Sequence, residues 1–187
     1  MTRQTLIVAG LGRCGTSMLM QMLSRGEVPC VGEWPAFEPD ESKAPTPGFI
    51  AASAGKALKI LDPQRVGLPG DVRVIWLDRD HAQQAKSHAK FLHLLMGLHI
   101  GREERRRLAA SMVRDTHAAM VLIGSRPLMR LRFEEVLASP RGTALLLGEF
   151  AQHPGFNVDA AAAAVHKRSP RCAEGLGMEL SLIGVAA

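Results

Sequence analysis

The sequence is poor in aromatic residues and in cysteine, and it contains no tyrosine. Aromatic residues make up 4% of the 187 positions, so aliphatic side chains, methionine and alanine must build the core. The three cysteines, Cys14, Cys30 and Cys172, are odd in number and form no CxxC pair. This usage indicates reduced thiols and excludes a disulfide framework, so we expect a cytoplasmic protein.

The chain also lacks long apolar runs and a strong charge bias. No stretch approaches the ~20 apolar residues that a membrane span requires. The apolar run near the N-terminus is interrupted by Gly10 and Gly12, so we expect no signal peptide. A net charge of +5 suits an anionic ligand but is too diffuse to predict nucleic-acid binding. With 47% apolar and 22% charged residues, the composition predicts a single globular domain over residues 1–187.

Strand and helix signals alternate along the chain. Short apolar runs predict buried strands at residues 5–9, 28–31, 57–61, 73–77 and 128–133. Apolar residues at helical spacing predict helices at about 16–25, 80–96, 102–122, 134–151 and 158–167. The proline-rich stretch 33–48 predicts a long loop. This alternation predicts an α/β fold of the three-layer P-loop type, with a mostly parallel central sheet flanked by helices.

The stretch GLGRCGTS, residues 10–17, connects the first predicted strand to the first predicted helix. Its glycines let the backbone approach an anion, and successive N–H groups converge there with the helix N-terminus. Thr16 and Ser17 add hydroxyl donors. The layout is that of a phosphate-binding loop, but the lysine of G-x-x-x-x-G-K-[ST] is absent and Arg13 is the loop's strong cation.

These residues resemble the P-[KR]-S-G-T-[ST] loop of sulfotransferases, which use 3'-phosphoadenosine 5'-phosphosulfate (PAPS). Gly12 stands where that family commonly has proline, and Cys14 stands where it commonly has serine. Neither change removes a backbone donor, although a thiol is a weaker hydrogen-bond partner than a hydroxyl. The resemblance implies that Arg13 stabilises the leaving phosphate and that the 5'-phosphosulfate is held by Gly12, Arg13, Cys14, Gly15, Thr16 and Ser17.

A second motif follows the strand predicted at 73–77. Arg79 comes directly after it and Ser87 follows eight residues later, about two helical turns along. This arrangement is similar to the family's 3'-phosphate signature, and it implies that Arg79 and Ser87 bind that phosphate. A guanidinium fork suits phosphate, and the helix N-terminus adds partial positive charge.

Two later stretches support the same interpretation more loosely. The stretch LMRLRFEEVLASP resembles the LRYEDL segment of bacterial sulfotransferases, which implies that Phe133 lies near the adenine; a core phenylalanine is an equal alternative. The stretch HKRSPR places Lys167, Arg168 and Arg171 where the family has late basic residues. Arg168 is therefore a candidate for the 3'-phosphate, with a solvated basic tail as the alternative.

Activation of an acceptor hydroxyl calls for a base, and the loop at 33–48 is rich in carboxylates. The stretch GEWPAFE resembles the G-E-P-x-E segment of a carbohydrate-sulfating bacterial branch, where the first glutamate is the base. The resemblance implies that Glu33 is the base, with an exposed loop carboxylate as the alternative and His88 as a second candidate. Trp34 and Phe37 are candidates for an apolar acceptor platform. The histidines are not spaced as a metal pair at i and i+4, so we expect no metal site.

Together these motifs predict a bacterial sulfotransferase that transfers a sulfuryl group from PAPS to the hydroxyl or amine of a small molecule, sugar or lipid. Two alternatives remain open. One is a small P-loop kinase or nucleoside triphosphatase with a variant loop, for which Asp78 is a candidate Mg²⁺ ligand. The other is a catalytically silent nucleotide-binding protein. Lys56 and Lys59 lie around a strand, and the sequence assigns them no role.

Overall fold

A four-stranded parallel sheet forms the centre of the fold. The computed structural model describes residues 4–39 and 45–165. The strands, in the spatial order β2-β1-β3-β4, are β1 (Thr5–Gly10), β2 (Ala57–Leu61), β3 (Val72–Asp78) and β4 (Leu128–Arg132). Each neighbouring pair is parallel. β1 is buried along its whole length, as expected of an apolar strand that is covered on both faces.

Helices cover both faces of the sheet, which gives the three layers that the sequence predicts. They are α1 (Thr16–Arg25), α2 (Pro47–Ala52), α3 (His81–Met96), α4 (Arg102–Ile123), α5 (Phe133–Ala138), α6 (Pro140–Ala151) and α7 (Val158–Ala163). On one face, Leu6 and Val8 of β1 pack with residues of α1, α5, α6 and α7. On the other face, Ile7 and Ala9 pack with residues of α3 and α4. The prediction of an α/β fold is therefore confirmed.

The order of the strands determines where a ligand can bind. The chain passes from β1 to β2 on one side, then crosses to β3 on the other side of β1. Open parallel sheets bind ligands outside the carboxyl ends of the strands at such a switch point. The loop that follows β1 and the residues that follow β3 both lie at this edge of the sheet.

Two predicted elements differ from the structure. Residues 28–31 form no strand: Cys30 makes only an isolated bridge to Ala57, with short bonds from Ala57 N–H to Pro29 O and from Val31 N–H to Ala57 O. The run is short, and Pro29 has no N–H with which to extend a ladder. The helix predicted at 134–151 is divided into α5 and α6 at Ser139, because the residue before a proline is disfavoured in helical conformation.

Other boundaries agree closely with the prediction. α3 begins after Asp80, whose carboxylate accepts a hydrogen bond from Gln83 N–H at 2.9 Å. α7 ends at Ala163, and the last residues of the predicted helix at 158–167 lie outside the described part. Over 4–39 and 45–165, no helix combines the length and the apolar character needed to cross a bilayer.

Candidate functional site

Gly15 turns the chain from the loop into α1. Its backbone has φ 109° and ψ 18°, a conformation that residues with a side chain rarely adopt. A Cβ atom at this position would lie 2.7 Å and 2.9 Å from two ring carbons of Phe133. The glycine is therefore required both by the backbone conformation and by the close approach of the α5 side chain.

The two motifs predicted to bind phosphates are adjacent. Nη1 of Arg79 donates a hydrogen bond to the carbonyl oxygen of Arg13 at 3.0 Å. The guanidinium of Arg79 also lies over the ring of Phe133, at 4.4 Å from its centroid. The arginine that follows β3 is thus held against the backbone of the loop that follows β1.

One face of α3 lines the same loop. Gln84, which is 1% exposed, donates from Nε2 to the carbonyl oxygens of Leu11 at 3.2 Å and Gly12 at 2.8 Å. The guanidinium of Arg13 lies 4.6 Å from the ring centroid of Phe91. Ser87 is three residues after Gln84 and four before Phe91, so all three share one side of the helix. The structure therefore places Ser87, which is buried, on the face of α3 that meets the loop.

Gln84 and Phe91 are contacts that the sequence interpretation missed. A glutamine on a helix is ordinarily a surface residue, and a phenylalanine at helical spacing is ordinarily a core residue. Their contact with the loop depends on how α3 packs at the edge of the sheet. The sequence shows which side of the helix is buried, through its apolar periodicity, but it does not show what that side packs against.

Cys14 supports the loop from the core. The residue is 1% exposed, and burial raises the pKa of its thiol to about 12, so the thiol is protonated at neutral pH. Its backbone N–H donates to the carbonyl oxygen of Leu11 at 3.2 Å. The N–H of Gly12 donates to the carboxylate of Asp62. The predicted contacts of Gly12 and Cys14 with a phosphosulfate remain predictions.

Asp62, which follows β2, and His88, which lies in the middle of α3, are both close to the loop. Asp62 N–H donates to the carbonyl oxygen of Gly10 at 3.1 Å, so this residue binds the loop through both its backbone and its side chain. Burial raises the pKa of Asp62. Burial and the neighbouring Arg13 lower the pKa of His88, while Asp62 opposes that shift. A cationic His88 is therefore disfavoured in the folded protein.

The lowered pKa of His88 predicts acid sensitivity. Below about pH 6.5 the unfolded chain binds a proton at this histidine that the folded protein does not, so the free energy of unfolding decreases as the pH falls. We expect the free energy of unfolding, measured by urea titration, to fall less between pH 7.5 and pH 5.5 in His88→Gln than in the unsubstituted protein. The matched control is His117→Gln on the exposed side of α4. Equal acid losses in the unsubstituted protein and in His88→Gln would contradict this prediction.

Lys59 is a further residue to which the sequence interpretation assigned no role. It is 2% exposed and points from β2 toward α1. Its Nζ donates to Ser17 Oγ at 3.1 Å, to the Ala36 carbonyl oxygen at 2.5 Å and to Glu38 Oε1 at 2.5 Å. The sequence did carry a signal for these contacts, a lysine in the middle of the apolar run ALKIL. A lysine is almost never fully buried without partners, so its position in a buried strand implied polar partners nearby.

The segment that carries the predicted base runs along α1. Gln21 Nε2 donates to the Pro35 carbonyl oxygen at 2.9 Å, and the guanidinium of Arg25 lies 4.9 Å from the Trp34 ring centroid. Arg25 ends α1, nine residues after its start, which corresponds to about 13 Å along the helix axis. Trp34 is therefore at the far end of α1 from the loop.

Glu33 and Glu38 are placed differently within this segment. Glu33 is exposed, and its carbonyl oxygen accepts a hydrogen bond from Phe37 N–H at 2.7 Å. Among the residues that the structure describes, the carboxylate joined to Ser17 through Lys59 is that of Glu38. Trp34 and Phe37 meet edge to face at 5.9 Å, with Trp34 49% exposed and Phe37 buried. The assignment of the base to Glu33 remains a prediction.

Phe133 belongs to the core. It is 2% exposed, packs against Gly15 and lies under the guanidinium of Arg79. Its contact with adenine remains a prediction.

Asp78, the candidate Mg²⁺ ligand, accepts hydrogen bonds from Trp76 Nε1 at 2.7 Å and from Arg130 Nη2 at 2.6 Å. Arg168, Lys167 and Arg171 lie outside the described residues.

Comparison with solved structures identifies the fold. The chain matches no protein-family model and no curated protein. It is similar to a sulfotransferase from Alicyclobacillus acidocaldarius, with a TM-score of 0.54 and 13% identity over 85% of this chain and 83% of that one. It is also similar to mouse sulfotransferase SULT7A1 complexed with PAP, with a TM-score of 0.60 and 12% identity over 98% of this chain and 66% of that one.

A third similar structure is retinol dehydratase in complex with androsterone and the inactive cofactor PAP. Its TM-score is 0.54, with 15% identity over 86% of this chain and 62% of that one. The chain thus spans less than two thirds of retinol dehydratase and about two thirds of the mouse protein. At these identities the comparisons show the fold, and the fold is that of the sulfotransferases.

Proposed function

We propose that the protein is a PAPS-dependent sulfotransferase of the bacterial type that acts in the cytoplasm. The observation that carries the proposal is the contact between Arg79 Nη1 and the Arg13 carbonyl oxygen at 3.0 Å. A nucleotide with one phosphate at its 3' position and another at its 5' position needs two anion sites one ribose apart. The contact brings the two motifs suited to those phosphates to one edge of the sheet.

The side chains around this contact suit such a ligand. Arg13 and Arg79 present guanidinium groups, α1 presents its N-terminus, and Ser17 and Ser87 present hydroxyl groups from α1 and α3. The nearby carboxylate of Asp62 is bound to the Gly12 N–H. The donor set is therefore suited to two phosphate groups, and we assign the 5' end to the loop and the 3' end to Arg79 and Ser87.

The reaction needs an acceptor oxygen in line with sulfur and a stabilised leaving group. PAPS supplies the sulfuryl group: a bond forms between the acceptor oxygen and sulfur, and the bond from sulfur to the bridging oxygen of the 5'-phosphate breaks. Arg13 is permanently charged, so it serves as an electrostatic clamp on the departing phosphate and not as a proton donor. We assign the acceptor proton to Glu33 on the resemblance of its segment alone; its neighbour Trp34 lies at the far end of α1 from the loop.

The acceptor is proposed to be a small hydroxyl-bearing molecule, sugar or lipid. Trp34 supports this assignment, because an aromatic ring that is 49% exposed, in the same segment as the proposed base, offers an apolar contact surface. The donor handled here carries no γ-phosphate, so we expect binding to be independent of Mg²⁺. The kinase alternative requires Asp78 as the Mg²⁺ ligand, but the Asp78 carboxylate already accepts hydrogen bonds from Trp76 and Arg130.

Calorimetry with adenosine 3',5'-bisphosphate tests the proposal directly. We expect this nucleotide to bind at least about 10-fold more tightly than ATP, because ATP has no 3'-phosphate to form charge-assisted bonds with Arg79. The titration is carried out with EDTA and repeated with Mg²⁺. Preferential binding of ATP with Mg²⁺ would favour the kinase alternative, and binding of neither nucleotide would refute the proposed function.

A further inference from the structure

A lysine that the nucleotide-binding loop lacks is present beside it, on the next strand. Lys59 pairs in register with Val8 of β1, and like Val8 it faces the α1 layer. Its side chain is 1% exposed, whereas the side chain of its partner Glu38 is 58% exposed. The ammonium is therefore shielded from solvent, whereas the carboxylate that it contacts is exposed to solvent.

The chemistry of the contact between Lys59 and Ser17 fixes its direction. An ammonium has three donors and no acceptor, so Ser17 Oγ must accept the hydrogen bond at 3.1 Å. The proton of the Ser17 hydroxyl is then left to donate to another acceptor. Ser17 is the second residue of α1, next to the helix N-terminus where an anion is favoured. Lys59 thus orients Ser17 as a donor and polarises its hydroxyl group.

The same ammonium holds the segment 33–39 against the loop. It donates to the Ala36 carbonyl oxygen and to Glu38 Oε1, both at 2.5 Å. Burial lowers the pKa of Lys59 and Glu38 opposes this shift, so the charged form depends on its anionic partner. A second negative charge at the loop would share the stabilisation of the ammonium with Glu38, which is exposed and can be hydrated when released.

We propose that Lys59 is a positioning residue that couples the nucleotide-binding loop to the segment 33–39. It orients the Ser17 hydroxyl toward an anion in the loop, and it ties the segment that carries Glu33 and Trp34 to that loop through Ala36 and Glu38. Binding of an anion at the loop and the hold on the segment are then energetically linked. The identity of the anion as a nucleotide phosphate rests on the proposed function, whereas the hold on the segment does not.

A double-mutant cycle tests the first half of this inference. Adenosine 3',5'-bisphosphate is titrated calorimetrically into the unsubstituted protein, Ser17→Ala, Lys59→Met and the double variant. We expect Lys59→Met to weaken binding by about 10-fold, and Ser17→Ala to weaken it several-fold alone but hardly at all when Lys59 is already replaced. Lys56→Met is the matched control, since Lys56 is an exposed lysine directly before the same strand. Independent, additive losses from the two substitutions would overturn the orienting role.

Fluorescence tests the second half without any nucleotide. The sequence has two tryptophans: Trp34 lies in the segment, and Trp76 is 1% exposed within β3. Quenching by acrylamide therefore reports mainly on Trp34. We expect Lys59→Met and Glu38→Gln to raise the quenching constant about 1.5- to 2-fold, and Lys56→Met to leave it unchanged. Addition of adenosine 3',5'-bisphosphate should raise quenching in the unsubstituted protein but not in Glu38→Gln, whose segment is already released.

The outcomes separate this inference from the proposed function. If the unsubstituted protein does not bind the bisphosphate, the proposed function fails, while quenching of the nucleotide-free variants still decides the hold on the segment. If Lys59→Met does not fold, the exposed position of Glu38 makes Glu38→Gln the deciding variant. If nucleotide-free Glu38→Gln has the same quenching constant as the nucleotide-free unsubstituted protein, the hold on the segment is overturned. If the unsubstituted protein binds the bisphosphate without a rise in quenching, the coupling is overturned.

Discussion

Gly15→Ala should lower the free energy of unfolding by about 3 kcal/mol and abolish measurable binding of adenosine 3',5'-bisphosphate. A side chain at φ 109° costs about 1–2 kcal/mol in backbone conformation. The added methyl group would lie 2.7 Å from the Phe133 ring, and overpacking of a core adds about 1–3 kcal/mol. For a chain of this size the loss corresponds to a decrease in Tm of about 6–12 °C.

Gly12→Ala is the control for stability, because it makes the same chemical change three residues earlier in the loop. A Cβ at Gly12 would have no atom within 4 Å among the residues that the structure describes, and its backbone lies outside the left-handed region. We expect its unfolding free energy in urea to stay within about 0.5 kcal/mol of the unsubstituted protein. Equal destabilisation by the two substitutions would contradict the loop geometry described for Gly15.

Arg79→Ala should weaken binding of adenosine 3',5'-bisphosphate by about 10- to 150-fold. This range corresponds to the loss of a charge-assisted hydrogen bond to phosphate, worth about 1.5–3 kcal/mol. Arg79→Lys should recover only part of the affinity, because an ammonium keeps the charge but loses the planar fork that lies over Phe133. Calorimetry at constant ionic strength measures both effects, and circular dichroism checks that the variants remain folded.

Arg106→Ala provides the charge-matched control for Arg79, since Arg106 is exposed near the start of α4. Its affinity for the bisphosphate should change by less than about 2-fold, as expected for an exposed and screened charge. Adenosine 5'-phosphate, which has no 3'-phosphate, should lose little affinity when Arg79 is replaced. A similar loss for both nucleotides would mean that Arg79 acts on the loop through Arg13 and not on the 3'-phosphate.

The loop motif is defined by residues close together in the chain. The sequence was therefore sufficient to predict that the loop lies between a buried strand and a helix. A buried apolar strand, a glycine turn and a helix at residues 5–25 appear in the structure as β1, the loop and α1. The prediction that Arg79 follows a strand and precedes a helix is also confirmed, with Asp80 as the N-cap of α3. Strand burial, glycine turns and caps depend on near neighbours, so single-sequence patterns report them well.

The partners of the loop were less accessible from the sequence. Gln84 and Lys59 contact the loop across 72 and 42 positions of the chain. Neither belongs to a motif, because each is placed by the packing of another element against the same edge of the sheet. The candidate carboxylates illustrate the same limit, since Glu33 and Glu38 lie in one segment but only the packing along α1 decided which one meets Lys59.

The sequence by itself determined that a strand–loop–helix unit with a glycine turn would form, because glycine conformations, strand burial and helix periodicity are encoded within a few residues of one another. Only the tertiary structure decided that Arg79 contacts Arg13, that α3 lines the loop through Gln84, and that a buried lysine from β2 joins the loop to the segment 33–39. These contacts depend on the strand order β2-β1-β3-β4, which brings distant parts of the chain together at one sheet edge. Long-range packing, and not local propensity, sets that order.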